Sequence, residues 1–244
     1  MKLLDVLAIL FVELGVGTAL FVLAQRVGEI RPSFFSFMAW LTAISFFIVS
    51  LIASGPAFYM SVYFPSVIFA ILATRNFSGG RPHFGKGLLI VAAFLGAFFL
   101  SGQILASKPR AGSYILAFFN IGAGTLVFGW SNGSMILGHW YLIMQGLSFG
   151  HFQRATQQLL LFLGIRTLGV ALACLWLFSQ GIHPFLDPLF ASMRILWGLI
   201  LPGILGFMAW RCSLTGSNQA GTGLLYIAEV AVLIGEILAI YLGF

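Results

Sequence analysis

Apolar runs of about 20 residues follow one another along nearly the whole chain, and short polar turns separate them. A helix that crosses the hydrocarbon core of a bilayer needs a run of this length. A transmembrane β-barrel would instead show alternating segments of about 10 residues, whereas these runs are continuous and rich in Leu, Ala, Phe and Gly. The pattern therefore predicts an all-α, polytopic integral membrane helical bundle.

The scarcity of charge supports the same conclusion. The chain has 244 residues, of which 60% are hydrophobic and 7% are charged, while soluble domains are roughly a quarter charged. Lipid must therefore be the solvent for most of its surface. The net charge of +6 lies mainly in short turns, as membrane topology requires. We expect membrane lipids and other membrane or peripheral protein subunits as partners, and no nucleic acid.

Helix-breaking residues and basic clusters divide the chain into about eight transmembrane helices that form a single bundle domain, residues 1–244. The longest apolar stretch, 113–147, is interrupted only by Asn132 and Gly133. It is read as one long tilted helix, because Trp140 and Tyr141 favour the membrane interface; a re-entrant piece or a ninth span are the alternatives. The predicted spans cover about 3–25, 34–54, 57–74, 87–106, 113–147, 156–180, 189–210 and 221–244, and the most polar loop is Arg75–Lys86.

The basic residues of the loops predict the orientation. Seven lie on one side of the eight-span arrangement and three on the other. The positive-inside rule places the larger set in the cytoplasm and both termini outside. A bacterial cytoplasmic membrane is the expected location. The larger set is Arg26, Arg31, Arg75, Arg81, Lys86, Arg154 and Arg211, and the smaller set is Lys2, Lys108 and Arg110.

Ionisable residues within the predicted spans are the main candidates for a functional site, because charge is costly in a bilayer and such groups usually face the bundle interior. Depth along each helix, at about 1.5 Å per residue, matches Arg166 with Glu229 or Glu13, and Arg194 with Glu236. Tyr226 shares the face of the last helix that carries both glutamates. The candidate network is Glu13, Arg166, Arg194, Tyr226, Glu229 and Glu236.

Two interpretations of this network remain open. Paired charges can lock helices together without any chemistry. Alternatively, a partly desolvated carboxylate exchanges protons, or the polar groups hold a head group such as a quinone ring or an anion.

The histidines are the candidates for cofactor ligands. A b-type haem needs axial ligands, commonly histidines on facing helices at similar depth. His139 and His151 lie near the same predicted membrane face but are separated by a predicted bend, and a place beside Trp140 and Tyr141 at the interface explains His139 equally well. Haem or a quinone is therefore the candidate cofactor. Cys174 and Cys212 show no metal-ligand spacing, and no metal site is predicted.

Four short motifs stand out in the second half of the chain. They are Gly138-His139-Trp140-Tyr141-Leu142 followed by Leu147-Ser148, Arg194-Ile195-Leu196-Trp197-Gly198, the run from Ser217 to Tyr226, and Gly235-Glu236. These motifs resemble a family of bacterial multi-pass membrane proteins to which no activity is assigned. The resemblance spans the chain and implies a bundle of the same kind. It carries over no catalytic residue, but it draws attention to His139, Arg194 and Glu236.

Three functions fit these observations. The first is a membrane subunit of an electron-transfer or energy-transducing complex, because the loops are small and the predicted cytoplasmic face is basic. The second is a small proton-coupled transporter, favoured by Pro65 and Pro202 within spans and by the buried charges. The third is a scaffold or accessory subunit without its own chemistry. P-loop, GxSxG and HExxH motifs are absent from the sequence, which leaves open whether the protein is an enzyme.

Overall fold

The computed structural model describes residues 3–53, 57–106, 114–144, 150–181 and 188–242, and within these ranges the secondary structure is helical, without β-strands. Seven helical segments within these ranges are long and apolar enough to cross a membrane. One of them, Leu189–Leu214, runs through three of the elements named below, and the predicted span 57–74 is not among the seven. The prediction of an all-α polytopic membrane bundle is confirmed. The helices are α1 (Leu3–Ala24), α2 (Pro32–Ile52), α3 (Ala57–Ser78), α4 (Pro82–Ala106), α5 (Tyr114–Ile143), α6 (Gly150–Ser179), α7 (Pro188–Ile195), a π-helical segment (Leu196–Ile200), α8 (Leu201–Leu214) and α9 (Asn218–Leu242).

Helix α5 shows how the longest apolar stretch of the sequence, 113–147, folds over its described part. It is one continuous helix of 30 residues that runs through Asn132 and Gly133, so the single-helix interpretation is confirmed from Tyr114 to Ile143. The motif residues Leu147 and Ser148 lie outside the described residues, as do the predicted outer charges Lys2, Lys108 and Arg110 and the loop 182–187.

Several predicted helix ends were wrong because polar residues extend the helices beyond their apolar spans. Helix α3 continues to Ser78 and α4 begins at Pro82, so the predicted loop Arg75–Lys86 is reduced to a short turn in which Gly80 has a φ of 73°. Proline suits the first turn of a helix, because the N–H groups of that turn have no acceptor within the helix and proline lacks this group. Helix α6 begins at Gly150, six residues before the predicted start.

The helices form two groups that meet along α1. Helices α1 to α4 pack against one another, and so do α5, α6, α8 and α9, while α1 also contacts α5 and α9. Helix α1 is the most enclosed span, since 72% of its apolar window is buried, against 33–56% for the other six candidate spans. We call these groups the α1–α4 half and the α5–α9 half.

Glycines let the two halves approach closely at the α1–α5 contact. A Cβ on Gly17 would collide with the Thr125 carbonyl and the Gly129 backbone, and a Cβ on Gly129 would collide with Gly17. One turn further on, Gly133 makes room for the Phe21 ring, which also packs edge-on against Trp130. Small residues of this kind allow dispersion contacts between helix backbones in a membrane.

Most of the basic side chains lie in the turns and adjoining helix ends at one end of the bundle, which we call the basic end: Arg26, Arg31, Arg75, Arg81, Lys86, Arg154 and Arg211. Lys86 Nζ donates hydrogen bonds there to the carbonyls of Leu23 and Gln25, at 3.0 and 2.5 Å, and so caps the C-terminus of α1. The Glu29 carboxylate contacts His151 Nε2 at 2.6 Å. These contacts attach α1 and its following turn to α4 and α6.

Gly17→Ala should destabilise the protein by about 1–3 kcal/mol, because the added methyl group overpacks the α1–α5 contact. The matched control is Gly122→Ala, since a Cβ at Gly122 meets no atom within 4 Å. Thermal unfolding of the detergent-purified variants measures the difference. A Gly17→Ala midpoint equal to or above that of Gly122→Ala would contradict the close contact.

Candidate functional site: a buried charge cluster and a polar seam

A buried ion pair joins α6 to α9. Arg166 donates through both terminal nitrogens to both carboxylate oxygens of Glu236, with Nη2 2.9 Å from Oε2. The side chains are each 3% exposed. A bidentate guanidinium–carboxylate contact is the geometry that best offsets the cost of removing two charges from water.

Helix α5 makes room for this pair with a glycine. A Cβ on Gly124 would lie 2.7 Å from Arg166 Nη1 and 2.8 Å from Glu236 Oε2. Both distances are too short for a carbon atom, so the pair lies directly against the backbone of α5. In the sequence, Gly124 has no feature that distinguishes it from the other packing glycines.

Two further charges complete what we call the charge cluster: Glu13, Arg166, Arg194 and Glu236. Glu13, on α1, is 1% exposed and lies close enough to Arg166 for direct attraction. Arg194, at the end of α7, is 5% exposed and lies within electrostatic range of Arg166. The cluster therefore contains two acidic and two basic side chains and joins the α1–α4 half to the α5–α9 half.

The structure corrects the predicted pairing. Arg166 pairs with Glu236 and not with Glu229. Glu13, the alternative partner predicted for Arg166, lies in the cluster close to Arg166. Glu236 was matched with Arg194, but its carboxylate accepts from Arg166 through both oxygens. The predicted pairing was wrong because α6 begins at Gly150, six residues earlier than predicted, which changes the depth of Arg166. Arg166 lies 16 residues after Gly150, and Glu236 lies 18 residues after Asn218, so their depths differ by only about 3 Å.

A break in the α-helical pattern lies beside Arg194. The segment Leu196–Ile200 is π-helical, and the Leu201 N–H donates to the Leu196 carbonyl. Pro202 follows at once and supplies no N–H to the preceding turn. A Cβ on Gly235 would collide with Gly198, so the backbones of the π-helical segment and α9 touch one residue before Glu236.

Polar side chains continue from the cluster toward the basic end along the contact between α5 and α9. Asn132 Nδ2 donates to Glu229 Oε1 at 3.3 Å, and Ser131 lies against the same carboxylate. Nearer the basic end, the Tyr226 hydroxyl and His139 Nδ1 are 3.1 Å apart. We call His139, Tyr226, Ser131, Asn132 and Glu229 the α5–α9 seam.

The seam begins at an exposed position and ends in the interior. Tyr226 is 44% exposed, while Ser131 is fully buried. The Oε2 atom of Glu229 is also buried, and it has no hydrogen-bond partner. The Tyr226 and Glu229 positions are about 4.5 Å apart along α9, and Glu229 and Glu236 about 10 Å.

Sequence reasoning did not identify Asn132 and Ser131 as site residues. Asn132 was treated only as an interruption of an apolar run, although an amide at that depth is itself costly unless it is paired. Tyr226 and Glu229 were correctly placed on one face of the last helix, but their partners on α5 could not be deduced from a single helix.

The two candidate haem ligands contact different partners. His139 pairs with Tyr226 on α9, and His151 is buried and contacts Glu29 in the turn after α1. The Nε2 atom of His151, a nitrogen through which histidine binds haem iron, is engaged by Glu29, and the two histidines contact different elements, which does not suit a haem shared between them. Among the described residues, no group of three or more His, Cys, Asp or Glu side chains could hold a metal ion.

An apolar groove of about 330 Å³ lies between α1, α4 and α5. Its lining includes Val16, Leu100 and Phe118, together with the hydroxyl residues Ser101 and Thr125. Both hydroxyls donate to carbonyls of their own helices, at 2.8 and 2.9 Å. The groove therefore suits an apolar chain better than a polar head group.

No family model, curated protein or solved structure matches this chain.

Replacing either Arg166 or Glu236 with leucine should strongly reduce the amount of folded protein, because removing one partner leaves a buried charge uncompensated at a cost of about 3–5 kcal/mol. The double variant Arg166→Leu/Glu236→Leu should recover most of the loss, since it removes one charge of each sign and leaves neither partner of the pair uncompensated. Folded protein is measured by fluorescence-detected size exclusion.

Arg26→Ala is the control, because the Arg26–Glu29 pair is exposed and exposed pairs contribute only about 0–1 kcal/mol. A double variant that folds worse than either single variant would show that the two side chains do not compensate each other.

Proposed function

We propose that this protein is the proton-handling subunit of an energy-transducing complex in a bacterial cytoplasmic membrane. The observation that carries the proposal is the α5–α9 seam, which leads from a partly exposed Tyr226–His139 contact to half-buried Glu229, whose Oε2 atom is enclosed, and on toward the charge cluster. Ionisable groups placed in series within a membrane are typical of proton paths.

The chemistry of the seam suits proton transfer. A phenol, an imidazole and a carboxylate can each give up and accept a proton. The separation of about 10 Å between Glu229 and Glu236 corresponds to a few hydrogen-bonded waters at about 2.8 Å each. Arg166 holds Glu236 in a fixed orientation at the inner end, so Glu229 is the group that we propose to carry the proton.

The small loops support the assignment to a subunit. The described turns of the basic end are short, and no soluble catalytic domain interrupts the helices in the described ranges. Such a protein would depend on partner subunits for redox or hydrolytic chemistry. We do not propose that the α1–α4–α5 groove holds a quinone ring, because both of its hydroxyls are already bonded to their own helices.

A proton-coupled transporter is the second candidate, and the position of the charge cluster favours it. Transporter sites often lie where two halves of a bundle meet and where a helix is interrupted. The cluster lies between the α1–α4 half and the α5–α9 half, and the π-helical segment adjoins it. Isolation from native membranes in mild detergent distinguishes the two candidates. Co-purifying redox or ATP-hydrolysing subunits support the first, and an isolated protein with substrate-dependent proton flux supports the second.

Glu229→Gln should slow proton movement by at least about tenfold, equivalent to about 1.4 kcal/mol in the barrier, while leaving assembly near the wild-type level. Glutamine keeps the size and the hydrogen bond from Asn132 but cannot release a proton at neutral pH. The measurement uses the protein, with any native partners, in liposomes containing a pH-sensitive dye and driven by a potassium diffusion potential.

Asp5→Asn is the control, since it removes a carboxylate near the opposite end of the bundle. Unchanged proton flux in Glu229→Gln would refute the assignment. Loss of the variant from the membrane would instead favour a purely structural role for Glu229, as would the absence of flux in the wild-type protein.

The orientation is testable with reporters. We propose that the basic end faces the cytoplasm, because it carries seven basic residues in its turns and helix ends. Green fluorescent protein inserted at Gly216, in the turn between α8 and α9, should therefore fluoresce, and alkaline phosphatase fused after Phe244 should be active. The reverse pattern would invert the topology and would place the entrance of the seam outside.

A further inference from the structure

Three side chains of the α5–α9 seam present oxygen atoms that lack a partner at hydrogen-bonding geometry, although the Ser131 hydroxyl lies close enough to the Glu229 carboxylate to interact with it. They are Glu229 Oε2, Ser131 Oγ and Asn132 Oδ1, and all three atoms are buried. Ser131 is 0% exposed and lies against the Glu229 carboxylate, and Asn132 Nδ2 is 3.3 Å from Glu229 Oε1. The three residues therefore form one local group on two packed helices.

Leaving a buried polar atom unpaired costs about 1–3 kcal/mol, so a group of such atoms favours the binding of a water or an ion. A hydrogen-bond donor would satisfy one of these atoms. A cation can satisfy several acceptor oxygens at once, and oxygen is the preferred ligand of hard cations.

We propose that Glu229, Ser131 and Asn132 form a binding site for a monovalent cation, for which Na⁺ is the probe. The charge balance favours this choice. Among the ion pairs of the described residues, none involves Glu229, so one carboxylate charge remains for the ligand to neutralise. A divalent ion would leave an excess positive charge inside the bilayer, where isolated charge is expensive.

The charge cluster also holds a carboxylate oxygen without a hydrogen-bond partner, Glu13 Oε2, but Glu13 lies close to the Arg166 guanidinium and the cluster does not offer an equivalent site. Arg166 occupies both oxygens of Glu236, and Arg194 adds a further positive charge nearby. A cation would be repelled there. The site at Glu229 also lies nearer the exposed end of the seam, next to Tyr226 and His139, which provides a route for entry.

This inference deepens the proposed function, since it makes Glu229 a site at which Na⁺ and a proton compete. A protonated carboxyl group is neutral, and a carboxylate that binds Na⁺ is also locally neutral. Either form avoids a bare charge in the membrane. Sodium should therefore displace the proton from Glu229, and an excess of protons should displace sodium.

The test uses dicyclohexylcarbodiimide, an apolar reagent that modifies protonated carboxyl groups within membranes. The reconstituted wild-type protein, with any native partners, is labelled in sodium-free buffer, and mass spectrometry locates the adduct. Sodium chloride at about four times its Kd should reduce labelling of Glu229 about fivefold, because it leaves about a fifth of the sites free. Choline chloride at the same ionic strength should have no effect.

The variants test the ligand set. Ser131→Ala should keep the labelling but require about tenfold more sodium for protection, a loss of about 1.4 kcal/mol in binding. Thr18→Val is the matched control, because Thr18 is another fully buried hydroxyl without a hydrogen-bond partner, located on α1. Its protection curve should match that of the wild type.

Labelling of wild-type Glu229 that does not respond to sodium would overturn the cation site, as would an equal shift in Ser131→Ala and Thr18→Val. Different results would refute the sodium site and the proposed proton-handling function. Proton flux through Glu229 without sodium protection would refute only the sodium site. Sodium protection without any proton flux would refute only the proton-handling role.

Discussion

The contact between Arg166 and Glu236 is the interaction on which the rest of the interior depends. Two full charges can be buried in a bundle of this kind only when each satisfies the other and when neighbouring backbones come close enough to exclude lipid. Gly124 provides that approach on one side, because any larger residue would collide with the pair. Gly235, next to Glu236, provides it on the other side, where α9 touches the π-helical segment.

This arrangement explains why the protein has two halves and one polar interior. Glu13 is contributed by α1, which belongs to the first half, while Arg166, Arg194 and Glu236 belong to the second. The attraction between Glu13 and Arg166 therefore acts across the same boundary as the Gly17–Gly129 contact. Packing and electrostatics hold one interface together, so a rearrangement of either half would alter the surroundings of the cluster.

The seam at α5 and α9 differs from the cluster in the way its charge is compensated. Glu236 is fixed by a permanent cation, whereas Glu229 has only the Asn132 amide and the neighbouring Ser131 within the described residues. A carboxylate without a permanent counterion in a membrane must take up a proton or a mobile cation to remain neutral. That difference separates the structural charges from the exchangeable one, although both glutamates lie on the same helix.

The sequence alone determined that the chain spans a membrane as helices, because apolar runs of sufficient length with so little charge allow no other solution for the backbone. It also identified the buried ionisable residues, since such groups stand out within apolar runs. Only the tertiary structure decided which of them meet. Depth along a helix depends on where the helix begins, and the polar start of α6 at Gly150 moved Arg166 to the level of Glu236. Ser131 and Asn132 on α5 could be recognised as neighbours of Glu229 only from the packing of α9 against α5.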